Sequence, residues 1–149
     1  MKNKEWITFR EAEFKDKKFI LMAHEEINAI SGLNDTSFQK RIDKDLFEDK
    51  VFKSIIAEID GNIAWMILYS YIYWANCGKW IYLSQAYVKS EYRNHGIYKK
   101  LLKELEIKEC ECNFITDLIG PDNDWMQNVL KKMNFKSSDL ITYYKIIRK

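Results

Sequence analysis

A strand-like run ending at Tyr87-Val88 leads into the polar stretch Lys89-Ser90-Glu91-Tyr92-Arg93-Asn94-His95, and a helical apolar pattern opens at Gly96-Ile97-Tyr98. Residues of these types at a strand–loop–helix junction can hold an anion. The first turn of a helix presents unpaired backbone N–H groups and the positive end of the helix dipole. Gly96 has no Cβ, so a phosphate can approach the backbone closely there. Arg93 adds a permanent charge with bidentate reach at the mouth of the same loop. Taken bare, these residues equally describe an ordinary strand–turn–helix with a small residue in the turn. A second candidate is Asp117, in Phe114-Ile115-Thr116-Asp117-Leu118-Ile119. A carboxylate flanked on its own face by Ile115 and Ile119 is desolvated, which raises its pKa towards that of a useful general base. The plainer alternative is a hydrogen bond to a neighbouring loop or lysine. Glu58 and His24 are outsiders for the same role, and His95 is expected to shape the loop rather than to catalyse.

The elements that must position these residues follow from apolar periodicity. Trp6 to Phe9 reads as a first strand. From Asp16 the stripe Ile20, Ala23, Ile27, Ile30 is helical, with Gly32 placed for a left-handed exit. Thr36 with Gln39 forms a capping-box pattern before the second helix, marked by Phe38, Ile42 and Leu46. Val51 to Ile59, Ile63 to Trp74 and Trp80 to Val88 read as strands joined by the turns Asp60-Gly61-Asn62 and Asn76-Cys77-Gly78-Lys79. Their apolar content on both faces predicts a sheet covered on both sides. Ile97, Leu101, Leu102 and Leu105 mark a third helix, with Glu104 and Lys108 spaced for an i,i+4 pair. Phe114 to Ile119 is a strand, Asp122 can cap a fourth helix carrying Met126, Val129, Leu130 and Met133, and Asn134 suits its left-handed exit. Phe135 opens a last β region through Ile147. The order is β-α-α-β-β-β-α-β-α-β. The strands on either side of the third helix must be parallel, joined by a right-handed crossover. The expected fold is therefore α/β (mixed α+β): a mixed sheet of about six to seven strands flanked by helices, with one central parallel pair.

The chain has 149 residues, 47% hydrophobic, 15% aromatic and 31% charged, with one proline and five glycines. That length and composition predict one folded domain over residues 1–149 and exclude disordered or collagen-like material. The net charge of +2 is too balanced to announce nucleic acid or an anionic membrane as partner. Three cysteines, Cys77, Cys110 and Cys112, suit reduced thiols in a cytoplasm better than a disulfide scaffold. Cys110-x-Cys112 has no second ligand pair near it, so no metal site is expected. Ile63 to Ala75 carries no charge but is too short for a membrane span, and the charged N-terminus lacks an apolar signal core.

Arg93-x-x-Gly96-x-Tyr98 after Val88, set in that element order, resembles the GCN5-related N-acetyltransferase (GNAT) family, and the resemblance runs from Trp6 to Ile147. It implies transfer of acetyl from acetyl-coenzyme A (acetyl-CoA), bound as co-substrate, to a primary amine. Carried over, Val88 lies beside the pantetheine arm, and Arg93, Asn94, His95, Gly96, Ile97 and Tyr98 cradle the pyrophosphate. Tyr98 stands where the family most often has Gly or Ala, so its side chain must point away from the phosphates. Asn123 occupies the position of a family asparagine that contacts the coenzyme, and Asn134-Phe135 that of a Gly-Phe pair. Leu130 stands where the family has a tyrosine that protonates the departing thiolate, which leucine cannot do. The strand Trp80-Ile81-Tyr82-Leu83-Ser84-Gln85-Ala86-Tyr87 lacks the glutamate base that family members often carry there. Tyr82 and Ser84 can order a water chain, and Asp117 is the remaining carboxylate candidate. The Lys99-Lys100 pair is placed to meet the 3′-phosphate of the coenzyme. Cys77, in a turn with no nearby histidine, argues against a covalent acyl-enzyme.

The expected acceptor is a small-molecule amine, handled by a monomer or homodimer. A rival from another class is a non-catalytic acyl-CoA sensor or protein-interaction module on the same fold, which Leu130 and the carboxylate-free strand favour. The aromatic residues Trp65, Tyr69, Tyr71, Tyr73, Trp74, Trp80 and Tyr82 admit three readings: core, a wall for an acceptor, or a contact face.

Overall fold

A computed structural model of the chain describes residues 7–31, 36–93, 96–117 and 123–137. In chain order these form β1 (Ile7–Glu11), α1 (Lys17–Ser31), α2 (Ser37–Ile42, continued as a π-helical stretch Asp43–Glu48), β2 (Lys53–Ile59), β3 (Asn62–Trp74), β4 (Gly78–Val88), α3 (Ile97–Lys108), β5 (Phe114–Asp117) and α4 (Asp124–Lys132). Packing divides the chain into two units, Met1–Leu118 and Ile119–Lys149.

In the first unit the five strands lie in the order β1-β2-β3-β4-β5. Every neighbouring pair is antiparallel except β4–β5, which is parallel and joined through α3. The mixed sheet and its parallel pair match the sequence expectation. The strand count is five among the described residues, and the parallel pair closes one end of that sheet. Of the last β region expected from Phe135 to Ile147, residues 135–137 are not strand and 138–147 lie outside the described residues, as does the Gly32 exit.

The turn between β2 and β3 explains their register. Asp60 and Gly61 both take positive φ, 49° and 79°, the pairing of a type I′ turn, whose twist matches that of the flanking strands. Strand alternation then sorts side chains onto two covered faces. Ile56 of β2, Met66 and Leu68 of β3 and Tyr87 of β4 bury against Ile20 and Ala23 of α1 and Phe38 and Ile42 of α2. On the opposite face Trp65, Ile67, Tyr69, Ile81 and Leu83 are buried, as is the helical stripe Ile97, Leu101, Leu102 and Leu105 of α3. Each such side chain contributes about 1.5–3 kcal/mol. Just beyond the C-terminus of α3, the buried Glu109 carboxylate accepts hydrogen bonds from the Tyr69 (2.8 Å) and Tyr71 (2.6 Å) hydroxyls. Lys108 pairs with Glu11 of β1 at 2.8 Å, the partner it takes in place of an expected i,i+4 neighbour.

Two local expectations resolve differently in the structure. Thr36 stands at the N-cap of α2 without a side-chain cap bond, and the Gln39 amide donates to Glu25 of α1 at 2.8 Å rather than reaching back to the cap. In the second unit α4 is capped by Asn123, whose Oδ1 accepts from the Met126 N–H at 3.1 Å. Asp122 lies outside the described residues. Asn134 makes the left-handed exit at φ 65°.

Candidate active site

The first feature of the site is a break in β4. Leu68 pairs with Gln85, but the next β3 residue, Tyr69, pairs with Leu83, so Ser84 is an extra residue in β4. Such a bulge bends its strand and re-aims the side chains beside it. Here it turns both Ser84 and Gln85 towards the α1–α2 face. They join Tyr82 in lining a cavity of about 230 Å³. The opposing wall comes from His24 of α1, Phe38 and Arg41 of α2, Phe52 and Leu68.

The second feature is where β4 loses its parallel neighbour. Pairing with β5 runs from Trp80↔Phe114 to Leu83↔Asp117. Among the described residues β4 continues alone on that side from Ser84 to Val88. An extended thioester arm could lie there and pair with the exposed strand edge. Arg93 folds back on the end of this strand, its Nε donating to the Val88 carbonyl at 3.0 Å. Lys89 N–H bonds the Ala64 carbonyl at 2.9 Å, fixing the start of the loop.

The third feature is the mouth of α3. Gly96 sits at its N-cap in the left-handed conformation, φ 68°, and no side chain caps the helix. Among the described residues nothing stands within 4 Å of where a Gly96 Cβ would be, and Arg93 is exposed beside it. Ile97 is buried in the core, and its neighbour Tyr98 encloses its hydroxyl in the protein with no hydrogen-bond partner among the described residues. The ring thus turns inward. Burial, and then the charge of Asp117, push the Tyr98 phenol well above its usual range. Lys99 and Lys100 are exposed on the first turn. Asn94 and His95 lie outside the described residues, and Asn123, exposed at the start of α4, belongs to the second unit.

The candidate catalytic residues are divided between the two faces of the sheet. Tyr82 and Ser84 line the cavity. Asp117 is paired with Leu83 in a parallel ladder and so stands on the α3 face. Its charge still reaches Tyr82, whose phenol is raised first by burial and second by Asp117. Glu58 is held by Arg10, whose Nε and Nη2 donate to Glu58 Oε1 at 2.9 and 2.7 Å. Arg10 also grips the buried Asp16 through Nη1 and Nη2 at 2.6 and 2.9 Å. That triad ties β1, β2 and the turn before α1 together and leaves Glu58 a structural part. Glu26 accepts from the Tyr87 hydroxyl at 2.7 Å.

Reasoning from the sequence missed Gln85, Phe38, Arg41 and Phe52 as cavity residues and placed His24 only as an outsider. Gln85 Nε2 lies 2.6 Å from His24 Nδ1, and Asn28 Nδ2 lies 3.0 Å from His24 Nε2. Two amide donors cannot both face a neutral imidazole. The Gln85 oxygen, otherwise buried without a partner, is the group that belongs against Nδ1–H. The one sequence signal for this wall was Ser84-Gln85, two polar residues in succession in a strand otherwise apolar or aromatic from Trp80 to Val88.

Comparison with known proteins agrees with this architecture. The sequence profile of the acetyltransferase (GNAT) family matches residues 11–135. The chain belongs to that family, which places it among acyl-CoA-dependent N-acetyltransferases with acetyl-CoA as co-substrate. No curated protein sequence matches it. Among solved structures, it is similar to a possible acetyltransferase from Clostridium difficile 630, at TM-score 0.82 and 20% identity over 95% of this chain and 99% of that one. A predicted acetyltransferase from Clostridium acetobutylicum, solved with acetyl-CoA, gives TM-score 0.75 and 18% identity over 94% and 96%. An aminoglycoside acetyltransferase from an uncultured soil metagenomic sample gives TM-score 0.74 and 12% identity over 96% and 97%. At these identities the likeness is one of fold.

Proposed function

We propose that residues 1–149 act as a single acetyl-CoA-binding domain that transfers acetyl directly to the primary amine of a small molecule. The observation that carries this reading is the continuity of β4. The strand leaves β5 after Leu83, bulges at Ser84 beside a cavity, and ends at a loop that opens the uncapped, Gly96-led start of α3. In this reading the pantetheine arm runs along β4 to Val88. Arg93, Asn94, His95, the Gly96, Ile97 and Tyr98 N–H groups and the α3 dipole hold the pyrophosphate, and Asn123 is kept as the coenzyme contact that the family resemblance implies. The two diphosphate charges are thereby met by backbone donors and a permanent cation.

Direct attack needs a neutral amine held against the thioester, a donor for the developing oxyanion, and a path for the amine proton. The bulge frees backbone N–H groups of β4 from regular pairing, next to where the carbonyl would lie, and these are the proposed oxyanion donors. No carboxylate lines the described cavity wall, and its apolar members favour the neutral form of an entering amine. The proton then passes outward along Tyr82, Ser84 and ordered water, and Asp117, on the other face of the sheet, acts through its charge on Tyr82. The amine nitrogen forms a bond to the acetyl carbon, the carbon–sulfur bond breaks, and coenzyme A leaves as thiolate. With Leu130 at the tyrosine position, the thiolate takes its proton from solvent. Reduced cysteines fit a cytoplasmic setting: Cys77, Cys110 and Cys112 are all unpaired. No described helix is long and apolar enough to cross a membrane.

The test is release of free coenzyme A thiol from acetyl-CoA across a panel of primary amines. Amine-dependent release that disappears in Gly96→Glu is expected. Coenzyme binding without release for any amine would favour the sensor reading that Leu130 suggests.

A further inference from the structure

We propose that the acceptor is an amine that also carries a carboxylate on a small apolar or aromatic body, and that Arg41 at the rim of the cavity reads that carboxylate. The proposal rests on the acetyltransferase reading of the same cavity and adds the chemistry of its substrate. Arg41 is the one permanently charged residue among the described lining residues, and no acid lines the cavity with it; its partner Asp45 stands one turn along the helix. The remaining walls are apolar or aromatic at Phe38, Phe52 and Leu68, and polar at His24, Tyr82, Ser84 and Gln85.

Arg41 is anchored without being enclosed. One Nη lies 3.2 Å from Asp45 Oδ2, one turn along the helix, and Nε donates to the Ser37 carbonyl at 3.4 Å. Its side chain remains 57% exposed. A guanidinium has five N–H donors in a planar fork, so one acid partner leaves capacity for a second, bidentate carboxylate. Two further properties narrow the class. A polycationic amino sugar finds no carboxylate on the described walls to replace its water and meets a like charge at the rim. The cavity's volume of about 230 Å³ also falls below the roughly 300–1,000 Å³ of pockets that take drug-sized ligands. A small amino acid, with its amine directed to the Ser84 bulge and its carboxylate to Arg41, matches both.

The experiment compares amines of the same body with and without the acid: phenylalanine against 2-phenylethylamine, 5-aminopentanoate against pentylamine, with kanamycin as the polycation. The proposal expects kcat/KM for at least one acid to exceed that of its decarboxylated partner by about tenfold or more. In Arg41→Gln that preference collapses through KM, while the melting shift given by acetyl-CoA is unchanged. Kanamycin gives no turnover. Preference for amines lacking the acid, turnover of kanamycin, or an acid preference that survives in Arg41→Gln overturns the proposal and leaves the acetyltransferase reading standing. If no amine in the panel turns over, the products decide. N-acetylphenylalanine must raise the melting temperature of the coenzyme A-bound protein more than N-acetyl-2-phenylethylamine does, and equal shifts overturn the proposal. Absence of any acetyl-CoA shift overturns the underlying reading and this one with it.

Discussion

Gly96 combines a left-handed backbone, φ 68°, with no described atom within 4 Å of where a Cβ would stand, so conformation and ligand approach can be separated by choice of substitution. Gly96→Ala meets no described atom, and its expected cost is that of forcing an L-residue into that region, about 1–2 kcal/mol. Its urea midpoint is expected to fall by that amount while acetyl-CoA still binds. Loss of coenzyme binding in the alanine variant would mean that the glycine is needed for closer contact than the open space indicates. Asp16 is the opposite kind of residue, 2% exposed and gripped by Arg10. Asp16→Ala leaves Arg10 with Glu58 and the Glu11 carbonyl and removes acceptors from the Glu13 N–H and the guanidinium. Because Arg10 retains partial solvent access, the cost is expected near the low end for a broken buried pair, about 3 kcal/mol by chemical denaturation. A loss below about 1 kcal/mol would show that water replaces the carboxylate.

At the scale of elements, Asn123 caps α4 through one hydrogen bond, and Asn123→Ala is expected to cost about 1 kcal/mol. Asn123→Asp should restore it, because a carboxylate caps equally well and suits the helix dipole. Failure of the aspartate to recover the melting temperature would show that the side chain does more than cap. Much of this level was legible beforehand. Asp60-Gly61 can take two positive φ values, which fixed the β2–β3 hairpin. The polar loop after Val88 and the helical stripe from Ile97 placed α3 between two strands and required β4 and β5 to be parallel. The bulge was not legible, because an extra residue in one strand is defined by its partner's register, and the register of β3 against β4 is a long-range property. The cavity was hidden for the same reason: His24, Phe38 and Arg41 reach β4 only through tertiary packing. Thr36 with Gln39 and Glu104 with Lys108 were correct local patterns overridden by Glu25 and Glu11, partners from other elements.

At the scale of the whole molecule, three buried or paired carboxylates among the described residues, Glu11, Asp16 and Glu109, contribute to the response to acid. Glu11 is held low by Lys108. For Asp16, burial acts to raise the value, but the hydrogen bonds from Arg10 and from the Glu13 N–H outweigh it. Burial likewise opposes Glu109, and the Tyr71 and Tyr69 hydroxyls overcome it. All three are depressed in the folded state, so each binds its proton more readily when unfolded. Their stabilisation is fully present above the unfolded values of about 4 and is lost as pH falls through the lower folded values. Denaturant stability is therefore expected to be flat from neutrality to about pH 5 and to fall below about pH 4. Glu109→Gln should have a shallower acid limb. An identical limb in that variant would mean that Glu109 does not couple to folding.

The most direct test of the central claim is thermal unfolding with and without acetyl-CoA, on the wild type and on Gly96→Glu. Ligand at about a hundred times its Kd adds about 2.7 kcal/mol, a rise of roughly 5–10 °C for a chain of this size. The account predicts that rise in the wild type and its loss in Gly96→Glu, where a carboxylate fills the mouth of α3. A wild-type protein whose melting temperature does not move at millimolar acetyl-CoA would contradict it, leaving the fold without the coenzyme site assigned to β4 and α3.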